Sequence, residues 1–188
     1  GVMPDSFTTL SLRPELLHAI EQAGYLEMTP IQAQGLPLML TGCDVIGQAK
    51  TGSGKTAAFG LALLNAIDTA HLVTQAVVLC PTRELADQVA AELRRLAQRM
   101  SHTRILTLCG GRPYREQFLA LEHGNHVIVG TPGRIGKHLP KRSLRLTDLP
   151  VLVLDEADRR MDLGFVDQVM DILSYSPTAL QTLLFSAS

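Results

Sequence analysis

The sequence predicts an α/β protein in which a parallel sheet is sandwiched between helices and joined by right-handed crossovers. Three observations predict it. Short runs rich in Val, Ile and Leu recur at 44–48, 76–80, 105–109, 126–130, 151–154 and 182–185. They are nearly unbroken by polar residues, as strands buried on both faces of a parallel sheet read. Segments with helical spacing lie between them, and a polar or glycine-bearing segment follows each run.

Taken in order, two helices precede the first strand, near 13–23 and 30–40. Strand 44–48 runs into Ala-Lys-Thr-Gly-Ser-Gly-Lys-Thr at 49–56, with a helix over 55–67. Strand 76–80 runs into Pro81-Thr82-Arg83-Glu84-Leu85-Ala86. These open a helix over 84–100, where Leu85, Val89, Leu93 and Leu96 recur at intervals of four, four and three. Strand 105–109 is followed by Gly110-Gly111, and strand 126–130 by Thr131-Pro132-Gly133-Arg134. Strand 151–154 meets Asp155-Glu156-Ala157-Asp158 before a helix over 161–173, and strand 182–185 ends in Ser186-Ala187-Ser188. Open parallel sheets place ligands at the carboxyl ends of their strands, so the six segments should gather along one edge. No internal repeat and no long linker interrupts the pattern, and the 188 residues read as one domain.

Composition bounds the function. Apolar residues make up 46% and charged ones 19%, which excludes a disordered chain. The apolar runs are far too short to span a bilayer. Cys43, Cys80 and Cys109 are odd in number and widely spaced, and His123 and His126 lack a third ligand, so no zinc site is expected. Free thiols and the absence of a signal-peptide pattern fit a cytoplasmic protein. The net charge of −1 hides a segregation. Residues 1–93 carry four basic and nine acidic groups, 94–145 carry eleven and two, and 146–188 carry two and seven. The blocks are therefore −5, +9 and −5. The basic middle reads either as a phosphate-binding face or as solvated helix faces.

Residues 49–56 form a phosphate loop. Gly52 and Gly54 let the chain wrap so that Thr51, Gly52, Ser53 and Gly54 turn backbone N–H groups toward an anion. Lys55 adds a point charge for the β- and γ-phosphates, and the Thr56 hydroxyl can ligate Mg²⁺. Ala49 stands where the strict pattern has glycine. Asp155 ends a strand beside this loop, where a carboxylate holds Mg²⁺ directly or through water, and Glu156 is placed to polarise the attacking water. Without the phosphate loop these acids would read as helix caps.

These residues carry a resemblance. From Phe7 to Ser188 the chain resembles the first RecA-like domain of a DEAD-box RNA helicase, a P-loop NTPase fold. Gly24-Tyr25 is followed by Thr29-Pro30-Ile31-Gln32, with Phe7 seventeen residues before Gly24. That is the family's Q motif, within 7–32. The resemblance implies that Gln32 reads adenine, an amide giving and taking one hydrogen bond at the base edge. It further implies that Tyr25 stacks on the base and Phe7 covers Gln32, although both residue types more often simply fill a core. Pro81, Thr82, Arg83, Gly110, Gly111, Thr131, Pro132, Gly133 and Arg134 match the family's RNA-contacting segments. Ser186 and Ser188, with Asp158 as partner, match the motif that couples ATP to RNA, although position 188 has Ser in place of the family's Thr. The residues around the motifs are especially similar to those of a bacterial branch of the family that acts on large-subunit ribosomal RNA.

The nucleic-acid chemistry is consistent with the resemblance. Hydroxyls, arginines and glycine N–H groups are phosphate and sugar ligands and carry no base-edge code. Aromatics are 4% and Trp is absent, so a stacking platform for single strands is not expected. Arg83 has an ordinary alternative in pairing with Glu84 or Asp87. In the family a second RecA-like domain supplies arginines against the γ-phosphate. Nothing in 1–188 resembles it, so a monomeric chain that binds ATP, ADP or AMP and hydrolyses little is expected. A stand-alone nucleotide-binding module and a DNA-acting motor are the rivals; Gln32 tells against the second.

Overall fold

The computed structural model describes residues 5–160 and 163–187. Six strands, β1 (Val45–Gln48), β2 (Ala76–Leu79), β3 (Ile105–Leu108), β4 (Val127–Gly130), β5 (Val151–Leu154) and β6 (Gln181–Ser186), form one sheet. All pairings are parallel and the order is β1-β6-β5-β2-β4-β3. The helices are α1 (Pro14–Gln22), α2 (Pro30–Leu40), α3 (Lys55–Ala66), α4 (Arg83–Leu96), α5 (Tyr114–Glu122), α6 (Pro132–His138) and α7 (Leu163–Ser174). Every predicted strand is present. So are the five predicted helices, although residues 161–162 of the last lie outside the described ones. α5 and α6 come in addition.

The alternation of side chains across the sheet divides the core in two. Ala76, Val78 and Cys80 join Val127, Val129, Val151, Val153, Leu183 and Phe185 on one face, covered by apolar residues of α1, α2, α3 and α4. Val77 and Leu79 join Ile128 and Leu152 on the other, covered by Leu121 of α5, Ile135 of α6, and Phe165, Val169 and Ile172 of α7. The central strands β2, β4 and β5 are thus covered on both faces, which is why they read as unbroken apolar runs, while edge strand β1 leaves Ile46 exposed. α3 is buried on nearly every side, from Lys55 through Leu64. Gly60 lets α4 approach it, since a Cβ there would stand 2.8 Å from Leu93 Cδ2. Among the described residues no helix is long and apolar enough to cross a membrane.

Candidate nucleotide site and nucleic-acid interface

The strand order sorts the six post-strand segments into two groups. Residues 49–56, 155–158 and 186–187 follow β1, β5 and β6, which are neighbours at one side of the sheet. Segments 81–83, 110–111 and 131–134 follow β2, β3 and β4, neighbours at the other side. Sequence order interleaves them; the crossovers separate them.

On the first side the loop after β1 wraps as its glycines require. Gly52 and Gly54 both take φ +86°, the left-handed region open to glycine. A Cβ on Gly54 would lie 2.5 Å from Gln32 Nε2, so the loop is also pressed against α2. A cavity of about 410 Å³ opens above it, within the range of small-molecule sites. Tyr25, Thr29, Gln32, Thr51, Gly52, Gly54, Lys55, Thr56 and Glu156 line it together. Ala49, Ser53 and Asp155 do not line it. Asp155 is fully buried beneath, and Ala49 N–H donates to Ser186 O at 2.8 Å, tying the loop to β6.

Lys55 is 4% exposed and its Nζ stands 3.0 Å from Asp155 Oδ1 and 3.8 Å from Glu156 Oε2. The ion pair is close, but neither Lys55 Nζ nor either Asp155 oxygen has a well-angled hydrogen bond among the described residues. Ser53 Oγ and Thr29 Oγ1 are buried without one as well. Buried polar groups are nearly always fully satisfied, so a buried ion pair with hydrogen-bonding capacity to spare beside a glycine loop suits a polyanion and a cation. Burial pushes the Asp155 carboxyl up from its usual range, with Lys55 opposing. Glu156 holds φ +50°, a strained conformation for a non-glycine residue and one that clusters at working sites.

Gln32 is 3% exposed and already engaged: Thr29 N–H donates to its Oε1 at 2.9 Å, and its Nε2 donates to Gly54 O at 3.0 Å. One amide proton and one lone pair remain. Phe7 must be corrected. It is buried in the core cluster that holds Met28, Leu16 and Leu36 and does not line the cavity, so it packs the core and is not part of the cavity wall. Sequence reading missed Glu27, Gln88 and Glu92, and it assigned Leu85 and Val89 to the core alone; all five line the cavity. The four-residue spacing of Gln88 and Glu92 puts them on one face of α4, the available signal.

On the second side Pro81 and Pro132 are buried while Arg83, Gly110 and Gly111 are exposed. Thr82 caps α4, accepting from Leu85 N–H at 3.2 Å. A buried polar network braces these loops. Gln117 of α5 donates from Nε2 to Cys109 O at 3.0 Å and accepts at Oε1 from Arg134 Nη1 at 3.1 Å. Arg134 Nη1 also donates to Arg112 O at 2.7 Å. His138 Nε2 reaches Gln117 Oε1 at 3.2 Å, and its Nδ1 reaches Ser143 Oγ at 2.8 Å. Burial first, then Arg134 and Lys141, lower His138 to about 4, so it is neutral here at pH 7. Of the eleven basic residues in 94–145, only Arg95 makes an ion pair among the described residues. Asp158 Oδ1 accepts from Ala187 N–H at 3.0 Å, which places two of the coupling segments in contact; Ser188 lies outside the described residues.

A phosphate loop beside an acidic strand end, on a parallel sheet of this order, defines the RecA-like class of P-loop NTPase fold. The family model for DEAD/DEAH box helicases matches residues 29–188, and the chain belongs to that family. It is 56% identical to the ATP-dependent RNA helicase DbpA of Escherichia coli over 97% of its length, and 47% identical to the DEAD-box ATP-dependent RNA helicase CshA of Bacillus cereus, also over 97%. It spans 40% and 35% of those curated relatives. A DEAD box protein from Methanococcus jannaschii superposes with a TM-score of 0.92 at 37% identity, over 97% of this chain and 50% of that one. A Saccharomyces cerevisiae Dbp5 variant bound to RNA and ADP BeF3 gives 0.89 at 32%, over 98% and 46%.

Proposed function

We propose that the chain is the ATP-binding RecA-like domain of an RNA helicase, acting with a second such domain to couple ATP hydrolysis to RNA binding and local duplex unwinding. The division of the sheet edge carries this reading. Buried Lys55 and Asp155, paired with each other, lie under a glycine loop on one side, and Arg83, Arg112 and Arg134, without ion pairs among the described residues, belong to or adjoin the hydroxyl and glycine segments on the other. Thr51–Thr56 hold the phosphates, Gln32 and Tyr25 the adenine. Thr56 and Asp155 would hold Mg²⁺, which would supply positive charge against the phosphates. Glu156 orients the attacking water, while Asp158 and Ser186 link the two sides. Segments 81–83, 110–111 and 131–134 follow one RNA strand by its backbone. The likeness to the DbpA type extends the proposal to ribosomal RNA remodelling in large-subunit assembly, by a cytoplasmic monomer.

The test is ATP turnover, measured as phosphate release. The 188-residue chain alone is expected to bind ATP yet release phosphate slowly, with no stimulation by RNA; joined to a following RecA-like domain it becomes RNA-stimulated. Robust RNA-stimulated turnover by the chain alone would overturn the division of labour. Arg134→Gln is expected to weaken RNA binding equally for all sequences. Loss of one single-strand phosphate contact lowers the slope of log affinity against log salt by roughly 0.7. A loss confined to one RNA sequence would count against backbone reading.

A further inference from the structure

We propose that Glu92 and Arg95 are positioning residues that hold the Tyr25 ring as the platform for a nucleobase, an inference that rests on the adenine-nucleotide reading above. Tyr25 follows Gly24, whose φ of +80° turns the chain out of α1, and its N–H donates back to Ile20 O at 3.1 Å. That backbone anchor leaves the side-chain torsions of Tyr25 open. α4 closes them. The Tyr25 hydroxyl donates to Glu92 Oε1 at 2.8 Å and accepts from Arg95 Nη2 at 2.7 Å. Arg95 is itself paired with Glu92, and its guanidinium carbon stands 5.3 Å from the ring centroid. The phenol is thus held at its tip and across its ring by residues one helical turn apart. Gln98 Nε2 donates to Gln22 Oε1 at 3.1 Å, fastening the end of α1 to the same helix. Burial and Glu92 push the phenol above its ordinary value, so it remains a proton donor at neutral pH.

Tyr25, Glu92 and Lys55 line one cavity. An ordered ring offers a base a surface without the entropy cost of arresting it on binding. The Glu92 carboxylate works in the same direction, because negative charge on that wall directs a polyphosphate toward Lys55 instead.

The experiment titrates ATP and inorganic tripolyphosphate against the chain and its Tyr25→Phe, Glu92→Ala and Glu92→Gln variants. Glu92→Ala loses one hydrogen bond to the phenol and should weaken ATP about three- to tenfold; Tyr25→Phe loses both and should weaken it at least as much. Glu92→Gln should lose less, since its amide oxygen still accepts from Tyr25. Tripolyphosphate affinity should hold in Tyr25→Phe and hold or rise in both Glu92 variants, which remove a repelling charge. Unchanged ATP affinity in Tyr25→Phe and Glu92→Ala overturns the proposal, as does a parallel loss for both ligands, which marks a general structural role. A parent chain that binds ATP no more tightly than tripolyphosphate overturns the adenine reading itself.

Discussion

Lys55→Met is expected to abolish measurable nucleotide binding and to destabilise the folded chain by about 3 kcal/mol or more. The two effects have one origin. Lys55 opens α3 with its side chain buried, and its ammonium is the close counter-charge of Asp155, which is itself fully buried. Methionine keeps most of the volume and removes the charge, so the loss isolates electrostatics from packing. What remains is a buried carboxylate with no cation beside it, the costly half of a broken ion pair. Asp155→Asn introduced alongside should restore much of the stability, because it removes the stranded charge, while leaving nucleotide binding absent. Chemical denaturation of the two single variants and the double variant measures the coupling.

The pH dependence of that loss has a definite sign. Burial already holds the Asp155 carboxyl above its ordinary range, and Lys55 is the chief influence pulling it down. Without Lys55 it moves further up. A carboxyl raised in the folded state costs nothing below its unfolded value, about 3.9, and destabilises as pH climbs through and beyond that value. The stability gap between Lys55→Met and its parent should therefore be widest near neutrality and close toward pH 4. A gap independent of pH would mean that lost packing, and not Asp155, accounts for the destabilisation.

The site was legible in the sequence where chemistry is carried by contiguous residues, and illegible where it is assembled across helices. The loop 49–56 and the acids at 155–158 follow strands directly, so period and residue type place both. α4 shows the opposite case. Leu85 and Val89 belong to an apolar stripe that reads as core, yet they also face the cavity, and Glu92 meets Tyr25 across 67 positions of sequence. Gln32 was identifiable as an amide, but its bond to Gly54 O depends on α2 pressing against the phosphate loop. α5 escaped notice because its buried side includes the polar Gln117. α6 escaped because Pro132, Gly133 and Gly136 make a poor helix former; packing of Ile135 holds it. The net charge of −1 concealed the most, since it averaged a basic block against acids that lie elsewhere in the chain.

Gly130→Ala should be as damaging as the loss of Lys55, by an unrelated route. Gly130 ends β4, in register with Leu108 of β3 and Leu79 of β2. A Cβ placed on it would stand 2.0 Å from Leu108 O and 2.9 Å from Leu108 C, both backbone atoms. No rotamer change relieves a backbone clash, so β3 and β4 must part. Parting strains the bonds that close this corner: Thr131 N–H to Leu108 O at 3.1 Å and Cys80 N–H to Gly130 O at 2.9 Å. Overpacking of this kind costs about 3 kcal/mol or more, and the urea midpoint should drop by roughly 1 M or more. Gly136→Ala is the matched control. It lies in α6 with only Asp171 Oδ2 near, at 3.8 Å, and replacing a helical glycine there should be neutral or stabilise by about 0.5–1 kcal/mol. Should Gly130→Ala unfold at the same urea concentration as its parent, the close approach of the two strands would not be what requires glycine. If instead it folds at reduced stability, RNA affinity should fall further than ATP affinity. The parted strands carry Gly110-Gly111 and Thr131–Arg134, while the phosphate loop sits on β1 at the far side of the sheet.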